Sequence, residues 1–461
     1  MPTPTPTDFP ALRAREFARL DARGDVYLDY TGAALHPESL VRAHAELLCA
    51  SVLGNPHSDS PASRASTRLI EEARAAVLRF FDADPEEYEA VFTANSSGAM
   101  RLVGEAFPFR PGSRYVLSAD NHNSVNGIRE FARRRGADVR YLPLDAELRL
   151  RGVDEALADA APRHPHLFAF PAQSNFSGVR HPLPLVHEAR ARGFRVLLDA
   201  AAYAPTSRLS LREVPADFVA LSFYKMFGYP TGVGALIARR PALRMLERPW
   251  FAGGTVDFVS TQTGTHLLRH GAEGLEDGTP NFLAAPAVQA GLALLERVEM
   301  DALSAHVAAL TRALLHGLWS LRHSDGAPLV AIYGPVGMRD RGGTVALNVL
   351  RPDGSVVDYR VVEARARQAG ISVRGGCFCN PGAAEHAFGF TPRESARCFG
   401  AAAAEGFDLD RLRACMRGRP VGAVRVSVGM ANVEADVTRF LELLAGFRDH
   451  AGVEEEYAAA A

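Results

Sequence analysis

The sequence predicts an α/β fold in which a large domain, built on a mainly parallel sheet with helices on both faces, is followed by a smaller α+β domain. Over most of the 461 residues, short apolar or β-branched runs alternate with helical periodicity. Some runs, such as FRVLLD at Phe194–Asp199, are apolar almost throughout, which is typical of strands buried on both faces. From about Asn281, long amphipathic segments and short strands replace this alternation, which indicates a second domain.

The strands predicted for the large domain are short apolar or β-branched runs. They lie at residues 26–30, 90–93, 115–118, 139–143, 167–171, 196–198, 218–222 and 233–237. Helical periodicity lies between them, and helices are predicted at 69–81, 98–107 and 128–135. The Gly- and Thr-rich stretch 253–279 has little clear periodicity, so we expect it to consist mainly of loops.

The second domain is predicted from two long amphipathic helices at residues 285–298 and 303–321. Short strands follow at 330–333, 345–349, 371–374 and 424–428, interleaved with helices at 359–369, 409–416 and 433–447. We therefore expect a flexible N-terminal arm over 1–25, a large domain over 26–281, a small domain over 282–450 and a frayed tail over 451–461.

Composition and charge exclude several classes of protein. The 51 basic and 53 acidic residues nearly balance, whereas nucleic-acid-binding domains usually carry a basic excess. No apolar run reaches the roughly 20 residues of a membrane-spanning helix, and the first ten residues do not resemble a signal peptide. Five cysteines favour a reducing compartment over a disulfide framework, and we expect Cys49, Cys398 and Cys415 to be packing residues. These features predict a cytoplasmic enzyme that binds neither nucleic acid nor membrane.

Lysine usage singles out one position, because the 51 basic residues are 50 arginines and a single lysine, Lys225. Arginine stays protonated, whereas lysine can lose its proton and form a Schiff base. Lys225 follows one predicted strand and Asp199 ends another, so in a parallel sheet both emerge at the same edge. A Schiff-base lysine and an acid for the pyridinium nitrogen are the groups that pyridoxal phosphate requires. The alternative is a turn aspartate and a surface lysine retained by chance.

A phosphate site is predicted where the strand, turn and helix start of FTANSSG place Ser96 and Ser97. Backbone N–H groups at a helix start and nearby hydroxyls bind phosphate. The pattern is weak by itself, because serine and asparagine are also ordinary helix caps. His122, in ADNHNSV, begins the helix after the next strand, from where an imidazole can stack on a planar ring. Otherwise it is an ordinary polar loop residue.

Nine short motifs are spread along the chain: ANSSGAM, DNHNSV, QSNFSGV, LLDAA, SFYKMFGYPTG, FAGGT, EDGTPNF, GGCFCNPGA and GAVRVSVG. They occur in the order found in class V, fold-type I pyridoxal phosphate enzymes, which the chain resembles over residues 26–447. The motifs SFYKMFG, GCFCNPGA and GAVRVS are most similar to the aminotransferase-like domain of molybdenum cofactor sulfurases, which are relatives of the cysteine desulfurases. The resemblance implies a fold-type I structure, pyridoxal phosphate as cofactor and a homodimer with shared active sites.

The resemblance also implies roles for individual residues. Lys225 would form the Schiff base, Asp199 would pair with the pyridinium nitrogen, and His122 would stack on the ring. Asn175 would lie near the phenolic oxygen or the substrate, and Gly254 would approach the phosphate of the neighbouring subunit. With the phosphate turn and the lysine motif included, the expected cofactor contacts are Ser96, Ser97, His122, Asn175, Asp199, Ser222, Tyr224, Lys225, Gly254 and Thr255.

The residues expected at the substrate are an arginine and two cysteines. By resemblance, Arg425 would bind the substrate α-carboxylate through its bidentate fork; the alternative is a salt bridge within the fold. Cys377 and Cys379 lie in a Gly-rich turn, and the R-x-G-x-x-C spacing of group II cysteine desulfurases, counted from Arg374, falls on Cys379. A thiolate there would attack the substrate sulfur. Which of the two cysteines reacts stays open, and metal binding or inert packing is the alternative for the pair.

The function implied by the resemblance is that of a cysteine desulfurase-like sulfurtransferase. It would convert L-cysteine to L-alanine with Lys225, Cys379 and Cys377 as catalytic residues and no metal. The alternatives are a class V aminotransferase, epimerase or C–S lyase that uses no thiol, and a protein that binds the cofactor without catalysis. Ala202 stands where many cysteine desulfurases have glutamine, and no sequence follows for the C-terminal domain of eukaryotic sulfurases. We therefore expect the sulfur to go to a separate acceptor protein or into a different pathway.

Overall fold

The computed structural model describes residues 7–158, 160–161 and 163–450, and a seven-stranded sheet forms its centre. In spatial order the strands are Tyr88–Thr93, Gly234–Arg239, Phe218–Ser222, Phe194–Asp199, His166–Pro171, Arg114–Ser118 and Asp138–Leu142. Neighbouring strands are parallel except at Gly234–Arg239, which runs antiparallel to the strand on either side. The predicted α/β class with a mainly parallel sheet is therefore confirmed.

Two apolar cores lie on the two faces of this sheet. Successive side chains of a strand point to opposite faces, so Phe168 and Leu198 enter one core whereas Leu167 and Leu197 enter the other. This is why the central strands are apolar without alternation. The helices of this part of the chain are Pro61–Phe80, Ser96–Ala106, Asn123–Asn126, Ile128–Arg134, Val153–Leu157, Leu185–Ala191, Phe223–Phe227 and Arg240–Leu243.

The C-terminal part of the chain builds a second, four-stranded antiparallel sheet. Its strands, in spatial order, are Val330–Tyr333, Thr344–Val349, Ala423–Ser427 and Arg374–Gly376. The strand predicted at 371–374 is divided, because Ile371–Ser372 pairs with a different segment. The helices here are Ala285–Val298, Met300–Ser320, Tyr359–Gln368, Pro381–Ala387, Pro392–Glu405, Leu409–Cys415 and Glu434–Ala445.

The N-terminal residues form helices where a flexible arm was predicted. Phe9–Glu16 and Ala18–Arg23 are helical, and a further helix that the sequence did not indicate covers Glu38–Ala50. Phe17 is buried in the core, and Arg13 donates a hydrogen bond to Asp436 at 2.7 Å. Helices of two turns are too short for a clear hydrophobic period. Residues 1–6 of the predicted arm and the predicted tail 451–461 lie outside the described residues.

The predicted first strand, at 26–30, does not join the seven-stranded sheet, which corrects its assignment to the large domain. Instead, Val26–Tyr27 runs parallel to Ile371–Ser372. A backbone bridge then joins Asp29 to Ser427, the last residue of Ala423–Ser427. The N-terminal segment therefore brings Asp29 against the second sheet.

Most of the stretch 253–279 lies outside helices and strands, as predicted, but it contains a hairpin, Val256–Val259 with His266–Leu268, and the 3₁₀ turn Gly271–Gly274. One further prediction is corrected. Cys398 and Cys415, expected only to pack, form a disulfide bond between two helices. The bridge depends on how these helices meet, which residue spacing does not reveal. None of the helices in the described part of the chain is long and apolar enough to cross a membrane.

Candidate active site

Lys225 and Asp199 leave the central sheet at the same edge. Asp199 is the last residue of its strand, and Lys225 lies in the helix Phe223–Phe227, which directly follows Phe218–Ser222. These two strands are parallel neighbours, so their carboxyl ends meet. Burial lowers the pKa of Lys225, and the negative charge of Asp199 opposes that shift. The amine therefore loses its proton more readily than an exposed lysine does.

His122 begins the short helix Asn123–Asn126 and belongs to the same site. Its Nδ1 accepts a hydrogen bond from the Ser124 N–H at 3.1 Å, and the Ser124 hydroxyl pairs with that of Ser97 at 2.6 Å. Burial lowers the pKa of His122, while the charge of Asp199 raises it and the cations of the site lower it further. A neutral imidazole is therefore favoured beside the lysine and the aspartate.

The turn before the helix Ser96–Ala106 offers donors to an anion. The Ser96 N–H donates to Ser222 Oγ at 2.8 Å, which ties this turn to the strand before the lysine. Ser96 Oγ is buried and, within the described part of the chain, has no hydrogen-bond partner. A Cβ on Gly234 would lie 2.6 Å from the backbone of Asn95, so the close approach of this turn to the strand Gly234–Arg239 requires glycine. A buried hydroxyl without a partner at a helix N-terminus fits a phosphate group.

The Asp199 carboxylate is available to a ring nitrogen. Its Oδ1 accepts the Ala201 N–H at 3.0 Å, and the described residues supply no hydrogen bond to Oδ2. A free carboxylate oxygen, a lysine with a lowered pKa, a neutral histidine and the phosphate turn are the groups that pyridoxal phosphate requires. The residues at this edge of the sheet therefore fit that cofactor.

Three of the predicted cofactor contacts have other surroundings within one chain. A Cβ on Gly254 would lie 2.5 Å from the His57 ring, and the Thr255 hydroxyl donates to Ala252 O at 2.8 Å. Among the described residues, no hydrogen bond of Thr255 reaches the lysine or the aspartate of the site. Burial raises the pKa of the Tyr224 hydroxyl, which an arginine opposes. The cofactor roles of these three residues, like those of the other predicted contacts, stay predictions.

Arg425 pairs with an aspartate that sequence reasoning missed. Arg425 NH2 donates to Asp29 Oδ1 at 2.8 Å and NH1 donates to Asn175 O at 3.1 Å. Its Nε–H is buried without a partner in the described chain. Asp29 also accepts two hydrogen bonds from Arg374, at 3.0 and 2.6 Å. The predicted alternative, a salt bridge within the fold, is therefore present, and one donor of Arg425 remains unused.

The loop that carries the two cysteines is held in a strained conformation. Phe378 and Cys379 have φ angles of 57° and 56°, a region that non-glycine residues adopt only when neighbours hold them there. Asn123 N–H donates to Cys379 O at 2.7 Å, and Asn175 Nδ2 donates to Phe378 O at 2.8 Å. Asn380, which the sequence analysis did not single out, donates to Asn175 Oδ1 at 2.9 Å.

The two cysteines have different electrostatic surroundings. Both are exposed and unbridged. The charge of Cys379 raises the pKa values of Lys225, Arg374 and Arg425, whereas the charge of Cys377 acts on Tyr359. Cys379 therefore lies closer to the charged groups of the site. In the described residues, no group of three or more His, Cys, Asp or Glu side chains is arranged to hold a metal ion.

A buried hydrogen bond between a histidine and an aspartate beneath this loop also escaped the sequence analysis. His181 Nε2 lies 3.0 Å from Asp120 Oδ2, and both side chains are inaccessible to solvent. Burial acts to raise the pKa of Asp120, but His181 and two serine hydroxyls outweigh it, so the pKa is lowered. The Asp120 carbonyl accepts a hydrogen bond from Asn380 Nδ2 at 2.7 Å. The DN pair before His122 was the available signal, since these two residues precede a predicted site residue.

Comparison with known sequences places this site in a family. The profile described as "Aminotransferase class-V" matches residues 26–440. Molybdenum cofactor sulfurase from Arabidopsis thaliana is 35% identical over 95% of this chain and 58% of its own length. Molybdenum cofactor sulfurase from Bos taurus is 37% identical over 95% of this chain and 52% of its own length. The chain thus spans about half the length of the curated relatives it matches.

Solved structures support the same assignment. The apo structure of a cysteine desulfurase from Thermococcus onnurineus NA1 has a TM-score of 0.78 at 25% identity, covering 97% of this chain and 99% of that one. A cysteine desulfurase from Escherichia coli has a TM-score of 0.74 at 23% identity, covering 95% and 98%, and shows the fold alone. The predicted fold-type I structure is confirmed by these neighbours. The chain belongs to the class V aminotransferase family of pyridoxal phosphate-dependent enzymes.

Proposed function

We propose that the chain is a cysteine desulfurase-like sulfurtransferase that converts L-cysteine to L-alanine and retains the sulfur as a persulfide on Cys379. The observation that carries the proposal is the position of Cys379, whose charge acts on Lys225 and Arg425. The similarity to molybdenum cofactor sulfurases and a cysteine desulfurase supports this reaction class.

The substrate is held by its carboxylate in this proposal. Arg425 has a buried, unpartnered Nε–H, and arginine binds carboxylates through two parallel hydrogen bonds. Pyridoxal phosphate, when bound, supplies an electron sink for the charge that develops on the substrate carbons. Lys225 Nζ, with its lowered pKa, takes up and returns the substrate proton. Asp199 Oδ2 would accept a hydrogen bond from the ring nitrogen of the bound cofactor, and His122 would cover the ring.

The sulfur transfer is balanced without an external oxidant. The Cys379 thiolate attacks the sulfur of the substrate, and a sulfur–sulfur bond forms as the substrate carbon–sulfur bond breaks. The electron pair of the broken bond stays with the carbon, which takes up a proton, so that alanine leaves and Cys379 holds the persulfide. The guanidinium groups of Arg374 and Arg425 place positive charge near Cys379.

The experiment that tests this function measures alanine and sulfide together. The holoenzyme is incubated with L-cysteine, with and without a reductant that releases persulfide sulfur. We expect alanine in every case and sulfide only after reduction, with both abolished in Cys379→Ala and retained in the matched variant Cys377→Ala. Alanine formation at the wild-type rate by Cys379→Ala would reject the proposal and favour a class V reaction without a thiol.

We further propose that the active form is a homodimer with shared sites. The hairpin beside Gly254 presents exposed apolar side chains, Phe258 and Leu267, and Trp250 and Phe251 are exposed just before it. Apolar groups clustered in this way commonly mark an interface. A dimer would bring this segment to the phosphate of the partner site.

We also propose that a separate protein in the cytoplasm accepts the sulfur. Cys379 is exposed, so a persulfide on it is accessible to an acceptor thiol. Cys49 and Cys377 are exposed and free as well, whereas Cys398 and Cys415 are bridged. The cytoplasmic location is proposed from the low cysteine content of the sequence. Transfer of labelled sulfur from the loaded enzyme to candidate acceptors tests this proposal.

A further inference from the structure

Asp29 is a nearly buried carboxylate between two arginines of the active site. Asp29 is 8% exposed, and its carboxylate accepts hydrogen bonds from both Arg374 and Arg425. The two arginines lie directly opposite each other in the pairing of Arg374–Gly376 with Ala423–Ser427. Two like charges in this position would repel each other without the carboxylate. Asp29 therefore allows both guanidinium groups to remain at one site.

Asp29 does not bind the two arginines equally. Arg374 donates to Asp29 through Nε and NH2, whereas Arg425 donates to Asp29 through NH2 alone. The NH1 group of Arg425 donates to Asn175 O, and its Nε–H has no partner in the described chain. The ion pair packs against Gly32, where a Cβ would lie 2.5 Å from Asp29 Oδ2 and 2.7 Å from Arg374 NH2, so only glycine leaves room for it. Asp29 thus fixes Arg374 firmly and occupies only one end of the Arg425 fork.

A second carboxylate at Arg425 must share this fork with Asp29. The pair of arginines carries two positive charges and Asp29 carries one negative charge, so the cluster has an excess of one positive charge. A single carboxylate from a substrate would neutralise that excess. Asp29 also lowers the attraction of the site for such a carboxylate, because its own negative charge lies at hydrogen-bonding distance from Arg425.

We propose that Asp29 is a positioning residue that holds Arg374 beside Cys379 and competes with the substrate α-carboxylate for Arg425. The competition keeps carboxylate binding weak enough for alanine to leave after the reaction. The identity of the substrate rests on the proposed function, whereas the competition for Arg425 does not.

The test uses the holoenzyme and acetate, a carboxylate that has no amino group and no sulfur. Acetate binding is measured from the rise in unfolding temperature with acetate concentration. We expect Asp29→Asn to lower the acetate dissociation constant by about tenfold or more, because a unit charge this close outweighs solvent screening at a buried site. An unchanged or higher dissociation constant would overturn the proposal.

The matched control is Asp436→Asn. Asp436 is also buried and paired with an arginine, Arg13 at 2.7 Å, but it lies near the N-terminal helices. We expect it to leave acetate binding unchanged while it lowers stability. A gain in acetate affinity as large as that of Asp29→Asn would overturn the proposal, since the gain would then follow from general loosening.

A second variant keeps the proposal testable if Asp29→Asn does not fold. Arg374→Gln leaves Asp29 with Arg425 as its only arginine, so Asp29 is expected to compete more strongly and to raise the acetate dissociation constant at least threefold. The side chain of Arg374 is 49% exposed, which makes this substitution tolerable. Acetate affinity that stays the same or increases would overturn the proposal.

Kinetics with L-cysteine separate the two roles of Asp29. In Asp29→Asn we expect KM to fall, because the carboxylate binds more tightly, and kcat to fall as well, because Arg374 is no longer fixed near Cys379. A simple structural loss would raise KM. If the wild-type enzyme released no alanine from L-cysteine, the proposed function would fail, and the acetate titrations would still decide the role of Asp29.

Discussion

Replacing Asn380 with alanine is expected to uncouple the Cys379 loop from the rest of the site. The Asn380 side chain is fully buried, and its Nδ2 donates to Asp120 O at 2.7 Å and to Asn175 Oδ1 at 2.9 Å. Its Oδ1 accepts the Ala383 N–H at 3.2 Å, which caps the next helix. At about 1 kcal/mol for each hydrogen bond, the free energy of unfolding is expected to fall by about 3 kcal/mol.

The effect of this change on the reaction follows from the backbone of the loop. Phe378 and Cys379 both have positive φ angles, which persist only while the surrounding contacts hold them. Without Asn380 the thiol is displaced, and a displacement of this kind slows alanine release by about tenfold or more. The visible absorbance of the bound cofactor is expected to stay unchanged, because the phosphate turn and Lys225 are untouched.

Asn348→Ala is the matched control for Asn380→Ala. Asn348 is also buried and donates two hydrogen bonds, to Tyr333 OH at 3.0 Å and to Gly422 O at 3.1 Å, but it lies in the strand Thr344–Val349. Urea unfolding and an alanine assay are applied to both variants. We expect both to lose stability and only Asn380→Ala to lose activity. Equal alanine release by the two variants would refute the reasoning.

Three further predictions concern pH, the phosphate turn and assembly. Burial raises the pKa of Asp217 from 3.8 to about 6 in the folded protein. The folded state therefore holds the proton more tightly than the unfolded state, and the stability gained in this way below pH 4 is lost as the pH rises through 6. The free energy of unfolding of Asp217→Asn, measured with urea, is expected to rise by about 3 kcal/mol relative to that of the wild type between pH 4 and pH 7. A difference between the two proteins that does not change with pH would contradict this. In Gly234→Ala the new Cβ overpacks against Asn95, which is expected to weaken cofactor binding by ~1–3 kcal/mol, measured as cofactor lost on dialysis. The control is Gly337→Ala, whose Cβ meets nothing within 4 Å. Equal cofactor retention by the two variants would contradict the prediction. Phe258→Asp is expected to give a monomer in light scattering, and an unchanged mass would place the interface elsewhere.

The fold was predictable where it depends on local pattern. Strands buried on both faces are apolar throughout, so the run ending at Asp199 indicated a covered parallel sheet before any contact was known. The segment beginning at Val26 was assigned to the wrong sheet, because its partner, Ile371–Ser372, lies more than 340 residues away. Local periodicity carries no information about such a pairing.

The candidate site was predictable where one residue type is rare or where a strand end fixes its place. Lys225 is the only lysine of the chain, and Asp199 ends the neighbouring strand. Asp29 and Asn380 were missed, because each acts through contacts with residues far away in the sequence. A carboxylate at the end of the apolar run VYL was the one local sign of Asp29.

The central claim is that Cys379 receives the sulfur of the substrate. The most direct test incubates the holoenzyme with L-cysteine, blocks the thiols and locates the persulfide by peptide mass spectrometry in the wild type, Cys377→Ala and Cys379→Ala. The persulfide is predicted on Cys379 in the first two proteins and on neither cysteine in the third. A persulfide on Cys377 in the wild type, or one that survives in Cys379→Ala, would contradict the claim.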